Sequence, residues 1–112
     1  MNSQGLRDMK SVINNQKEYC LFCGGYASGE HHLIFGTSGR AFSEKHGLKM
    51  AICNRCHTQS EYLCDRIHDN SMAEKLSKML GQAIFEREML QRGMTLKEAK
   101  EKMIAENGRI YY

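Results

Sequence analysis

Apolar positions in this chain change their spacing partway along it. Between residues 31 and 52 they come in two short runs, Leu33-Ile34-Phe35 and Leu48-Lys49-Met50-Ala51-Ile52. Runs of that length, bounded by glycine and polar residues, predict two strands, His31–Phe35 and Leu48–Ile52. Gly36-Thr37-Ser38-Gly39 reads as a loop, and Ser43-Glu44-Lys45-His46 as a single helical turn ended by Gly47. From residue 71 onward the spacing becomes helical. Met72, Leu76, Met79, Leu80, Ala83 and Leu90 recur every three to four residues, and methionines at that spacing read as core packing. Ser71 and Glu74 are spaced as a capping box that opens this helix, and Arg92-Gly93 closes it. Thr95 and Glu98 form a second capping box, opening a last helix that ends at Asn107-Gly108. Glu74 and Lys78 are placed as an i,i+4 pair on the outer face. Leu6, Met9, Val12 and Ile13 make only a weak helical stripe, so residues 1–18 read as a lead-in and 19–112 as one domain.

The bulk numbers narrow the class. The chain has 112 residues, a formal net charge of +3, no proline and no tryptophan. A core of that size is modest, and a structural metal is a useful staple for it. The mild positive charge permits a polyanionic partner without demanding one. No apolar leader and no membrane-length run are present, which predicts a cytosolic protein without membrane contact, its cysteines reduced and open to metal.

Five cysteines are present, and four of them form two C-x2-C pairs, Cys20/Cys23 and Cys53/Cys56, with 29 residues between the pairs. Two thiolates on a tight turn with Gly24-Gly25 behind them have the shape of a zinc knuckle, so the four predict one structural zinc. Cys64 is left over, either a small buried side chain or an exposed thiol. The stretch between the pairs carries Glu30-His31-His32 at the start of a predicted strand. Neighbouring side chains on a strand point to opposite faces, so one imidazole can meet a metal and the other a substrate. His57, directly after the second pair, and His68 complete the set, whereas His46 reads as a surface residue. A divalent ion on His31, His57 and His68 suits phosphodiester cleavage, with His32 as general base, a role imidazoles suit at neutral pH. Arg40, Lys45 and Lys49 are candidates for phosphate contacts, with simple solvent exposure as the even alternative.

Glu30-His31-His32, a loop, a second strand and Cys53-x2-Cys56-His57 together resemble the HNH (His-Me finger, ββα-metal) nucleases. His31 to Gly36, Ser43 to Leu48, Ile67 to Asn70 and Gly108 to Tyr111 resemble, more narrowly, the small HNH endonucleases of phages and prophages. The resemblance implies an α+β fold, with a ββα-metal core, a four-cysteine zinc knuckle pair and two C-terminal helices. It implies DNA as substrate, 5′-phosphate products and Mg²⁺, Mn²⁺, Ni²⁺ or Zn²⁺ at the active site, in the cytoplasm of a host cell. It also implies His31, His57 and His68 as ligands and His32 as base. Two features depart from the family. Ten residues separate His57 from His68, and no asparagine stands before the second knuckle to orient the base, Asn70 being a distant candidate. The competing expectation is a non-catalytic zinc module that binds nucleic acid or protein.

Overall fold

Two four-residue strands form the platform of the molecule. In this computed structural model, residues 10–13 and 17–112 are described, apart from the side chain of Cys64. Strands β1 (Gly29–His32) and β2 (Lys49–Ile52) pair antiparallel, with His31 opposite Met50 and His32 opposite Lys49. β1 therefore begins earlier than its apolar run suggests and ends before it. The Leu33 amide still donates to the Leu48 carbonyl at 2.9 Å. At Ile34 a side chain replaces the ladder: Ser43 Oγ accepts from the Ile34 amide at 3.1 Å and donates to the Ile34 carbonyl at 2.6 Å.

Ser43 reaches that position from helix α1 (Gly39–His46), which has two turns rather than the single turn expected. Gly47 ends it in the left-handed conformation with φ 69°, as a glycine C-cap does. His46, read as a surface residue, is buried. Its ring packs 4.7 Å from that of Phe42 and 4.8 Å from that of Phe85, and its Nε2 lies 2.7 Å from Glu106 Oε1. Glu106 stands 60 positions away, so nothing in the local pattern announces the contact.

After β2 the chain makes a π-helical turn, Arg55–Gln59, and two 3-10 turns, Leu63–Asp65 and Ile67–Asp69. Helix α2 (Ser71–Gln91) follows, then α3 (Leu96–Asn107). α3 has the expected bounds, and its Thr95/Glu98 capping box is formed. α2 starts differently: Asn70, not Ser71, is the cap, accepting from the amides of Met72 and Ala73 at 3.1 Å each. Glu74, freed from the cap and from the expected pair with Lys78, bonds His68 at 3.1 Å. Lys78 instead lies over the Phe35 ring, 4.5 Å from its centroid.

The inward face of α2 is not the apolar stripe. Met72 is 71 % exposed and Leu76 57 %, while Ser77, Gly81, Phe85 and Met89 face the core. Close approach is the reason. A methyl group on Gly81 would lie 2.7 Å from Ile34 Cγ1, so only the smallest residues let this helix lie against Leu33-Ile34. Buried Gln82 and Glu86 on the same side are satisfied by the C-terminal tail. Gln82 Oε1 accepts from the Tyr111 amide, and Glu86 Oε1 accepts from the Tyr112 hydroxyl at 2.8 Å. Leu33, Ile34, Phe42, Leu48, Met50, Phe85, Met89, Ala99 and Met103 make the core, with Val12 and Ile13 packed against it. Leu6 and Met9 of the helical stripe read in the lead-in lie outside the described residues. Its end is tied down: the Val12 amide donates to the Gly47 carbonyl at 2.9 Å, and Ser11 Oγ donates to the Lys49 carbonyl. Among the described residues no helix is long and apolar enough to cross a membrane.

Candidate metal centre

The two C-x2-C pairs meet. One sulfur from each of Cys20, Cys23, Cys53 and Cys56 lies within 4.8 Å of the others, a cluster that suits a tetrahedral zinc. The turn geometry brings this about. Gly24 adopts φ 77°, and the Cys20 amide donates to the Gly25 carbonyl at 2.7 Å, folding the first pair back on itself. The amides of Phe22 and Gly25 donate to the sulfurs of Cys20 and Cys23 at 3.4 Å each. The Leu21 amide bonds the Ala51 carbonyl at 3.1 Å, holding the knuckle against β2. Burial works to raise the Cys20 thiol, but the amides of Cys23, Cys53 and Phe22 outweigh it and bring it down to about 7. At Cys56 burial and the neighbouring sulfurs push the thiol well up. Four thiolates crowded together resist full ionisation, and a divalent cation removes that resistance.

A second cluster includes His57, the residue that follows Cys56. His31, His57 and His68 each offer a ring nitrogen within 4.8 Å of the others, and their ring centroids are 4.6 to 5.3 Å apart. His31 comes from β1, His57 from the π-helical turn and His68 from the second 3-10 turn. The ten residues between the last two fold back on themselves and so bring those rings side by side.

Hydrogen bonds decide which nitrogen His31 and His68 present. Ser77 Oγ donates to the Leu33 carbonyl at 2.7 Å, so toward His31 it can only accept. His31 Nε2, 2.8 Å away, is therefore the protonated nitrogen, leaving the lone pair on Nδ1. That Nδ1 is buried and has no hydrogen-bond partner among the described residues. An orphaned buried acceptor facing two further imidazoles fits a metal ligand. At His68 a carboxylate only accepts, so Nδ1–H donates to Glu74 and Nε2 is the nitrogen left open to a cation. Burial, and then the other histidines, lower His31 to about 3, and burial lowers His57 for the same reason. Both rings are neutral near pH 7, the form that binds a cation.

His32 leaves the opposite face of β1 from His31, as strand alternation requires. It borders an open cleft of about 470 Å³ together with Glu30, Phe35, Arg40, His57 and His68. Its Nε2 lies 3.1 Å from Glu44 Oε1, and Glu44 Oε2 accepts from Lys49 Nζ at 2.8 Å. Burial works to raise the Glu44 carboxyl, but Lys49 and His32 outweigh it and hold it below the usual carboxylate range.

The candidate phosphate contacts separate. Arg40 is exposed and lines the cleft. Lys45 is 56 % exposed and pairs with Glu106 of α3 at 3.0 Å, away from the cleft residues. Lys49 is corrected: it is buried, and its ammonium is held by Glu44 and by Glu30 at 3.8 Å, so it cannot meet a phosphate. Asn70 is likewise occupied as a helix cap. Ser77, Glu44 and Glu74 were not expected at the site. Ser77 carries no signal until the inward face of α2 is known, and Glu44 becomes a site residue only once α1 brings it beside His32.

No protein-family model and no solved structure matches this chain. Over 104 residues, 93 % of its length, it is 33 % identical to the mineralocorticoid receptor of Xenopus laevis. The matched stretch makes up 16 % of that receptor, so the chain spans about a sixth of the length of this curated relative.

Proposed function

We propose that this chain is a metal-dependent endonuclease of the HNH, His-Me finger type that hydrolyses DNA phosphodiester bonds. One observation carries the reading: three imidazoles converge, their ring nitrogens within 4.8 Å of one another, and the residue next to one of them is a fourth histidine bordering an open cleft. A non-catalytic zinc module accounts for the cysteine cluster equally well but has no use for that second arrangement.

In this reading β1, β2 and the helical turn Arg55–Gln59 make the ββα-metal core, and the zinc on the four cysteines fixes His57 through the adjoining Cys56. A divalent ion on His31, His57 and His68 supplies Lewis-acid stabilisation of the charge that develops on the phosphate and the leaving oxygen. His32 takes the proton of the attacking water at Nδ1, because Nε2 is engaged with Glu44. Arg40, exposed at the cleft, holds a backbone phosphate of the substrate. The resemblance to small phage and prophage HNH proteins supports DNA as the polyanion.

Supercoiled-plasmid nicking with added Mg²⁺, Mn²⁺, Ni²⁺ or Zn²⁺ tests the proposal. The parent should nick in at least one metal, and His32→Ala should lose about 100-fold or more. Nicking by His32→Ala at the parent's rate, or none by the parent in any metal, overturns it.

A further inference from the structure

We infer that Glu44 is the positioning residue for His32, and that buried Lys49 sorts which Glu44 oxygen faces the imidazole. This rests on the nuclease reading above. The arrangement follows from strand periodicity. Glu30 and His32 are two apart on β1 and share a face, and Lys49 stands directly across from His32 on β2. α1 lowers Glu44 onto that face, where its two oxygens are divided, Oε1 to His32 Nε2 at 3.1 Å and Oε2 to Lys49 Nζ at 2.8 Å.

The division has a chemical consequence. A carboxylate accepts only, so His32 must carry its proton on Nε2, and the lone pair needed for proton abstraction is kept on Nδ1. An imidazole in the other tautomer presents an N–H to the attacking water and cannot act as a base. Glu44 thus supplies the orientation for which no asparagine is available before the second knuckle. Lys49 does not touch substrate. Only 6 % exposed and always a donor, it pins one Glu44 oxygen and leaves the other for His32.

Lys49 also makes the inference testable by exchange of a single atom. In Glu44→Gln the amide oxygen must face the lysine, so the amide NH₂ meets His32 Nε2 and favours the wrong tautomer. Removing the lysine lets the amide turn, and its oxygen can accept from His32 again. Plasmid nicking with kcat and KM resolved is measured for the parent, His32→Ala, Glu44→Ala, Glu44→Gln and Glu44→Gln/Lys49→Met. Melting temperature and bound zinc are followed alongside for each.

Glu44→Ala and Glu44→Gln should each lower kcat about 10- to 100-fold with KM within about threefold of the parent. The double variant should recover about tenfold over Glu44→Gln, which a merely structural carboxylate would not produce. If kcat in Glu44→Ala stays within twofold of the parent while His32→Ala is inactive, the positioning role is overturned and the nuclease reading stands. A double variant no better than Glu44→Gln overturns the part assigned to Lys49. If His32→Ala nicks like the parent, the nuclease reading itself has failed and takes this inference with it.

Discussion

His31 Nε2 lies 2.8 Å from Ser77 Oγ, and the Ser77 hydroxyl donates its hydrogen bond to the Leu33 carbonyl two residues beyond that histidine. The serine therefore fixes both the tautomer and the tilt of the buried imidazole. Partners of this kind are worth about 10- to 100-fold in metal affinity. Ser77→Ala should weaken Mn²⁺ or Ni²⁺ binding at the histidine cluster by that factor, read by calorimetric titration of protein with its cysteine site filled by zinc. It should also cost about 1–3 kcal/mol of stability, because the His31 N–H and the Leu33 carbonyl are left unpaired in the interior. An unchanged affinity would separate Ser77 from the metal centre.

Gly81 presents a conflict between local preference and packing. In an isolated helix alanine at that position would be favoured by about 1 kcal/mol. Here the added methyl would lie 2.7 Å from Ile34 Cγ1 and 3.2 Å from Leu33 Cβ. Those atoms belong to the segment that follows His31-His32, so the helix cannot retreat without moving the site. Gly81→Ala should therefore destabilise the fold by about 1–3 kcal/mol in denaturant unfolding. A stabilised variant would mean that α2 lies farther from β1 than the structure has it.

The same helix shows where reading the sequence stops. Its length, its close at Arg92-Gly93 and the bounds of α3 were legible, because caps and period are local properties of the chain. The four-cysteine cluster was legible for the same reason, since C-x2-C spacing encodes the turn itself. Which face of α2 turns inward was not. The stripe through Met72, Leu76 and Leu80 is apolar, yet where the helix crosses Leu33-Ile34 there is room only for small side chains such as Ser77 and Gly81. Lys49 and His46 escaped for a related reason: a charged or polar side chain is buried only where partners meet it. Those partners, Glu44 and Glu106, are delivered by other elements. The ten residues between His57 and His68 fold back through short turns that have no hydrophobic period to read.

His46 carries a pH dependence whose sign differs from what its ion pair alone would give. Burial among Phe42 and Phe85 lowers its pKa, Glu106 works to raise it, and Lys45 and Lys102 nearby lower it again; burial prevails. A folded-state pKa below the unfolded value of about 6.5 means the unfolded chain takes up protons first as the pH falls. The contribution is thus fully present above about pH 6.5 and is lost progressively as the pH drops below that value. His46→Phe should flatten unfolding free energy against pH between pH 7 and 5, by at most about 1.4 kcal/mol per pH unit. Denaturant melts of the two proteins across that range provide the comparison, and a steeper slope in the variant would reverse the assignment.

Arg40 and Lys45 lie on the same short helix, but only one of them borders the cleft. Arg40 is exposed beside His32, His57 and His68, whereas Lys45 is drawn to Glu106 of α3. A cation that neutralises a backbone phosphate releases counterions, so its loss lowers the salt dependence of DNA binding by about one unit of slope. Arg40→Ala should show that decrease, with affinity falling by a similar factor on DNAs of different sequence, since phosphate contacts carry no base information. Lys45→Ala should leave the slope as in the parent, because its ammonium is drawn to Glu106 and does not line the cleft. Fluorescence anisotropy on labelled duplexes from about 50 to 200 mM salt, with the active-site metal withheld, gives both slopes. Equal slopes for Arg40→Ala and the parent would mean that phosphates do not run past Arg40, and would remove that residue from the proposed DNA contacts.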